Sequence, residues 1–192
     1  MAKTQYLLDT NIFIEASKKY YHFEICPDFW SMLIEQHEAG RVFSIEQVKK
    51  EIYVPRKRQN AIDPQSGDSP KYDDLASWVK NAPKSFFESC DDLLVPKSYR
   101  EIIQSVSSNP QYRPEAKSEF ASVADSWLIA CAYAHDVTIV THENFSQDSK
   151  KRVLIPVVCK EFNVPVATLF QMLLELKIKF VRKQTATRKK KK

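Results

Sequence analysis

Glycine is nearly missing from this chain: two occur in 192 residues. Collagen-like repeats, propeller blades and glycine-rich loops all need more of it, because each depends on backbone conformations that other residues disfavour. No apolar run reaches the ~20 residues that cross a bilayer, so no membrane partner is expected. The four cysteines, Cys26, Cys90, Cys131 and Cys159, are scattered without a C-x-x-C pair, which argues against a zinc ribbon or a redox dithiol. Cys131 and Cys159 fall in apolar helical patterns and read as core residues. The four histidines make no H-x-x-x-H pair. The opening MAKTQYLLDT lacks the basic, apolar and small-residue regions of a signal peptide, so a cytoplasmic protein is expected.

Positive charge is present but unevenly placed. The formal net charge is +5, from 29 Lys and Arg against 24 Asp and Glu. The last dozen residues, VRKQTATRKKKK, hold seven of the basic residues and no acid. Without them, 22 basic residues face 24 acidic ones and the body is near neutral. A lysine run of this kind is either a solvated end or a salt-sensitive attachment to nucleic-acid phosphates. The expected organisation is one domain over residues 1–181 and a basic, disordered tail over 182–192.

Along the chain, strand-like and helix-like patterns alternate. YLL reads as a buried strand and NIFIEASKKYY as the helix that leaves it. PDFWSMLIEQHEAG is an amphipathic helix with Pro27 in its first turn and Gly40 as its cap. RVFSI is a strand, and EQVKKEIYV a helix with Val48, Ile52 and Ile45 on one face. PRKRQNAIDPQSGDSP, with three prolines, is a loop long enough to be an insertion or a lid. DDLASWVKNAP and KSYREIIQSVSS are helical, and NPQYRPEAKS reads as a connection. ASVADSWLIACAYAHD is a buried helix and VTIVT a β-branched strand. RVLIP reads as a further strand, and PVVCKEFN and VPVATLFQMLLELKIKF as two closing helices. Such alternation predicts a parallel sheet covered by helices on both faces.

YLLDTN raises the chemical question, because a buried strand stops on an acid. In open α/β sheets ligands sit beyond the carboxyl ends of the strands, where Asp9 stands. Glu143, after Thr141 in TIVTHENF, holds the same position behind a later strand. Asp125 lies near the start of the apolar helix, and Glu51 in the helix after VFSI. Each has a structural alternative. Asp9 suits a helix cap, Asp125 a helix N-terminus, Glu51 a solvated surface, and Glu143 the turn into Asn144 and Phe145. Together they suit a hard cation, since Mg²⁺ and Mn²⁺ take oxygen ligands. Two like charges ~4 Å apart repel by ~4 kcal/mol at an effective dielectric of ~20, and a divalent ion relieves that. Asn11 would orient Asp9 or a bound water, and Thr141 would hydrogen-bond a carboxylate.

The segments YLLDTNIFIEA, VKKEI, ADSWLIACA and TIVTHENF resemble, in order and approximate spacing, the motifs of PIN domains. The resemblance runs from Tyr6 to about Leu176. PDFWSML and LIPVVCKEFNVPVATLFQML look like a poorly characterised subgroup of that family. It implies a three-layer α/β/α sandwich around a parallel sheet of four or five strands. It also implies a metal-dependent ribonuclease, with Asp9, Glu51, Asp125 and Glu143 as the acidic ligands of Mg²⁺ or Mn²⁺. Asn11, Thr141 and Ser126 would be polar supports. Arg56, Lys57 and Arg58 would be weak contacts to the RNA backbone. Many such proteins are toxins, so an antitoxin protein and a homodimer are further partners it implies. One departure is Glu143, where many relatives carry Asp; Asp136 and Asp148 are weaker replacements.

Two rival readings come from other classes. A haloacid-dehalogenase-type phosphatase also ends its first strand on Asp, but wants a second Asp where this chain has Asn11. A PIN-like module without catalysis would bind RNA or a partner through the basic tail.

Overall fold

A computed structural model describes residues 4–53, 74–90 and 92–180. Five strands form one sheet in the order β3-β2-β1-β4-β5, with every neighbouring pair parallel. β1 (Tyr6–Leu8) lies between β2 (Val42–Ile45) and β4 (Thr138–Val140). Leu7 is level with Phe43 on one side and Ile139 on the other. β3 (Phe87–Glu88) and β5 (Val166–Ala167) form the edges.

All three residues of β1 and all four of β2 are buried. Successive strand residues face opposite sides, so both faces of the sheet are covered. The result is a three-layer α/β/α sandwich with a five-stranded parallel sheet, as the alternating pattern predicted.

After β1 the chain enters α1 (Thr10–Glu15), which continues into a π-helical turn over Ala16–Tyr20. The turn ends with Tyr21 N–H donating to the Ala16 carbonyl, 2.7 Å. That wide turn brings Tyr21 flat against Phe29, rings 4.2 Å apart and 4° from parallel. Phe29 belongs to α2 (Pro27–Glu38), which begins on the expected Pro27. The expected cap residue Gly40 has φ +68° just past its end, a left-handed conformation that glycine adopts without strain. α3 (Glu46–Tyr53) and α4 (Asp74–Asn81) follow. The proline-rich segment expected between them, with Arg56, Lys57 and Arg58, lies outside the described residues, as does the lysine tail.

Four expectations need correction. NPQYRPEAKS is not all connection: Pro114 opens α6 (Pro114–Ser122), in the first-turn position that suits proline. ASVADSWLIACAYAHD is not one helix. Val123, with φ −101° and ψ 171°, breaks it, and α7 runs Ala124–His135. RVLIP is not a strand: α8 starts at Ile155 and ends at Glu161. Pro156 in its first turn was the helix signal that the apolar run concealed. VPVATLFQMLLELKIKF divides into β5 and α9 (Leu169–Glu175), with Thr168 and Gln171 forming a capping box between them.

The core spans the sheet and the helices around it. Phe13, Phe86 and Phe87 pack together with Trp78 of α4, and Leu128 and Ile129 of α7 are fully buried. α5 (Leu94–Ser108) packs along α7. Cys131 and Cys159 are buried as expected, and burial pushes both thiols well above their usual range.

One buried polar contact fixes the end of β1. Ser44 of β2 donates 2.8 Å from Oγ to the carbonyl of Leu8, the last residue before Asp9. Ser44→Ala removes that bond, and the expected loss is about 1 kcal/mol. Urea unfolding should show a lower midpoint with an unchanged slope.

Candidate functional site

The sheet order reverses direction at β1. The chain passes from β1 to β2 on one side and later returns to β4 on the other. Such a switch point opens a crevice at the carboxyl ends of the two strands. Asp9 follows β1 and Thr141 follows β4, so both stand at its mouth. Thr141 donates from Oγ1 to Asp9 Oδ2, 2.8 Å, and the Asp9 backbone N–H reaches the Val140 carbonyl, 3.0 Å. Asp9 occupies the N-cap position of α1, but its side chain makes no cap hydrogen bond. The carboxylate therefore makes no capping bond deeper into the helix; it is held by Thr141 and by the backbone of Thr10, the first residue of α1.

Asp9, Thr10, Asn11, Glu51, Glu119, Asp125 and Arg152 supply the polar walls of a cavity of about 160 Å³. Ala116, Phe120, Val123 and Val153 supply the apolar ones. Three acids singled out in the sequence thus meet here, with Asn11 at the edge. Glu143 is not among the lining residues. Ser126 is buried and donates 3.2 Å to the Val123 carbonyl, so it braces the helix turn instead of facing the cavity. Asp136 caps the far end of α7, ahead of β4, and Asp148 is exposed; neither replaces Glu143.

Two of the four acids are committed to backbone. Glu51 accepts from Thr10 Oγ1 at 2.6 Å and from the Ala124 N–H at 2.8 Å. Glu143 accepts from the Ile155 N–H at 2.8 Å and from Arg152 Nη2 at 3.1 Å. Ala124 and Ile155 are the first residues of α7 and α8, whose N-cap residues, Val123 and Leu154, have no side-chain acceptor. A helix N-terminus offers unpaired N–H groups and a partial positive charge. Each glutamate reaches over from another element to satisfy one.

The two aspartates are in the opposite condition. Burial pushes Asp9 up to about 6, with Glu143 and Glu51 adding to the rise and the bonds from Thr141 and the Thr10 backbone opposing it. Burial pushes Asp125 up to about 8, reinforced by the charges of Asp9, Glu143 and Glu51 and relieved only in part by Arg152. Asp125 has no hydrogen-bond partner among the described residues. The site is a cluster of oxygen donors, with Asp9 buried and Asp125 and Glu51 half-buried, that carries more negative charge than the protein neutralises.

Among the described residues, no three Asp, Glu, His or Cys side chains are grouped closely enough to hold a metal ion by themselves. The donor chemistry nonetheless fits a hard cation. Mg²⁺ keeps several waters and is commonly held by one or two carboxylates. One Asp9 oxygen and both of Asp125 are left by the side-chain bonds above.

Thr10, Glu119 and Arg152 were not anticipated. Glu119 falls between NPQYRPEAKS and ASVADSWLIACAYAHD, and its place on a helix follows only from Pro114 as the start of α6. Thr10 was covered by its neighbours in Asp-Thr-Asn, and nothing in the linear pattern around Arg152 points to the cavity.

A parallel α/β sandwich with an acidic cavity at its switch point is the class that fold and site define. The chain matches the family described as a domain of unknown function (DUF4411) over residues 6–63 and 66–180, and it belongs to that family. No curated protein matches it.

Two outcomes follow from the electrostatics. Asp9 and Asp125 both titrate higher in the fold than their unfolded value near 3.9, so protonation stabilises the native state. That contribution is complete below about pH 4 and is lost as pH rises through about 6 and then about 8. In EDTA the unfolding free energy from urea titration should fall by several kcal/mol between pH 5 and 8, most of it from Asp125. Asp125→Asn should flatten the slope and stabilise the protein at pH 8. Glu51→Ala should destabilise instead, costing about 2–3 kcal/mol because it strands Thr10 and the Ala124 N–H, while the loss of its charge also lowers both aspartates and flattens the slope. Equal slopes for wild type and Asp125→Asn would refute the charge-repulsion account.

Proposed function

We propose that this protein is a PIN-like, divalent-metal-dependent ribonuclease that hydrolyses RNA phosphodiester bonds. The observation that carries the reading is the pairing of two under-neutralised aspartates at the sheet's switch point, Asp9 buried and Asp125 half-buried. The motif resemblance, which includes the same two aspartates, supports it as well. Asp9 and Asp125 would hold Mg²⁺ or Mn²⁺, and the bound ion would supply a lowered pKa for water and neutralise charge gathering on the phosphate.

The chain's own residues have defined work in that reaction. Thr141 fixes the Asp9 carboxylate by occupying one of its oxygens. Glu51 ties α1 to the start of α7 and so sets where Asp125 stands relative to Asp9. Glu143 acts through Arg152 and the start of α8. This gives the two glutamates positioning roles beside the two aspartate ligands. Arg152 is the one basic side chain that lines the cavity among the described residues, and it is 59 % exposed. It can leave Glu143 for a phosphate oxygen by a charge-assisted bond. Asn11 offers an amide to the same substrate at the edge.

The PIN resemblance also supports an antitoxin protein as partner and a homodimer in solution. Asn11 favours metal-assisted phosphodiester cleavage over the phosphatase reading, because it stands where the phosphatase needs a second acid. No helix among the described residues is long and apolar enough to cross a membrane.

Cleavage of defined RNAs in Mg²⁺ or Mn²⁺ tests the reading. Wild type should cut, and EDTA should abolish cutting. Asp9→Asn and Asp125→Asn should each lower kcat by at least about 100-fold while the protein stays folded. Arg152→Ala should raise KM more than it lowers kcat. Equal residual cutting by wild type and both aspartate variants would identify a contaminant and end the proposal.

A further inference from the structure

Three aromatic rings meet beside the acidic cavity, and the reaction described above uses none of them. His142 directly follows Thr141, so its Cα lies about 3.8 Å from that of the residue that holds Asp9. Its ring centroid is 5.9 Å from that of Tyr20, and Tyr20 meets Phe170 edge to face at 6.3 Å and 77°. Phe170 is the second residue of α9, just past β5. His142 and Phe170 therefore both enter from the carboxyl ends of neighbouring strands, the rim on which Asp9 stands. Tyr20 and Phe170 are 49 % and 53 % exposed. Two exposed rings in contact on one rim present π-faces that a ligand can cover.

Cations stand among the rings of this rim. The loop that carries His142 also carries the exposed Phe145, with Lys160 Nζ 4.8 Å from its ring centroid. The same loop leads to Arg152 in the cavity. Lys19 precedes Tyr20 and is held by an exposed pair with Glu15, which a phosphate can displace at little cost.

We propose that Tyr20 and Phe170 form a stacking platform for an unpaired base of the RNA whose backbone enters the acidic cavity. The inference rests on the ribonuclease reading and names the form of RNA that site accepts. Every base has a π-face, so the platform is tolerant of sequence. A base inside a duplex has its faces covered by its neighbours, so the platform selects unpaired nucleotides. His142 backs Tyr20 and keeps its ring at the rim. The interleaved cations favour a polyanion over an apolar protein surface. Leu174, one turn beyond Phe170 and 77 % exposed, is the part of this face that a protein partner would use instead.

Single-stranded oligonucleotides carrying 2-aminopurine, mixed with full-length Asp9→Asn protein, provide the test. Binding should quench the probe at one position of the strand. In that background Tyr20→Leu and Phe170→Leu should weaken binding roughly tenfold and restore emission. Tyr20→Phe, which keeps the ring, should preserve both signals, and so should Leu174→Ala. A blunt duplex of the same sequence should not compete. Unchanged affinity and quenching in both leucine variants would overturn the platform, while cleavage by wild type would leave the ribonuclease reading standing. If wild type neither binds nor cuts RNA, both fail together. A dimer in sedimentation that Phe170→Leu and Leu174→Ala both split would make this face an interface between copies and overturn the platform.

Discussion

Thr141 holds Asp9 across the gap between β1 and β4, and much of the molecule is arranged around that contact. A carboxylate that is 1 % exposed has lost nearly all its hydration. One hydroxyl returns part of the loss, and the neighbouring acids make the balance worse. A fold built only for stability would replace such a group with an apolar side chain of similar size. Local disagreement with the rules of stable packing is characteristic of sites that do chemistry. Asp9 has that character because three fully buried residues lead straight into it.

The surrounding acids divide according to what they can reach. Val123 and Leu154 are poor caps, so α7 and α8 would each begin with unsatisfied N–H groups. Glu51 and Glu143 supply the acceptors from outside the helices. Their charges are compensated by helix N-termini, a threonine hydroxyl and one arginine. Asp125 lies one residue inside α7 and has no such partner among the described residues. Its position depends on Glu51, because the bond to the Ala124 N–H fixes where the helix starts. One glutamate thus couples α1, α3 and α7, and a change at Glu51 would alter both stability and the geometry of the two aspartates.

Much of this could be read from the chain. The alternation of apolar runs predicted a parallel sheet, Pro27 and Gly40 marked the ends of α2, and YLLDTN marked a strand that ends on an acid. The two-residue strands β3 and β5 could not be read, because two residues carry no periodicity. They are strands only because Ser44 and Ile139 present paired backbones beside them. RVLIP misled because a short apolar run fits an extended strand or a buried helix start equally well. The division of the acids was hidden too: Glu51 beside two lysines looks like a surface residue until Thr10 and Ala124 are placed against it.

Local patterns therefore settled the class of fold, the strand on which the site is built, and the acids that approach it. Those are consequences of spacing, since burial alternates with a period of two in strands and near 3.6 in helices. Which acid keeps free oxygens and which surrenders them to a helix end was decided by tertiary structure alone. So were Glu119 and Arg152 in the cavity wall, and the meeting of Tyr20, His142 and Phe170. The reason is one of range. A hydrogen bond or a Coulomb interaction acts over a few ångströms, and these partners are brought within that distance only when β1, β4 and β5 lie side by side.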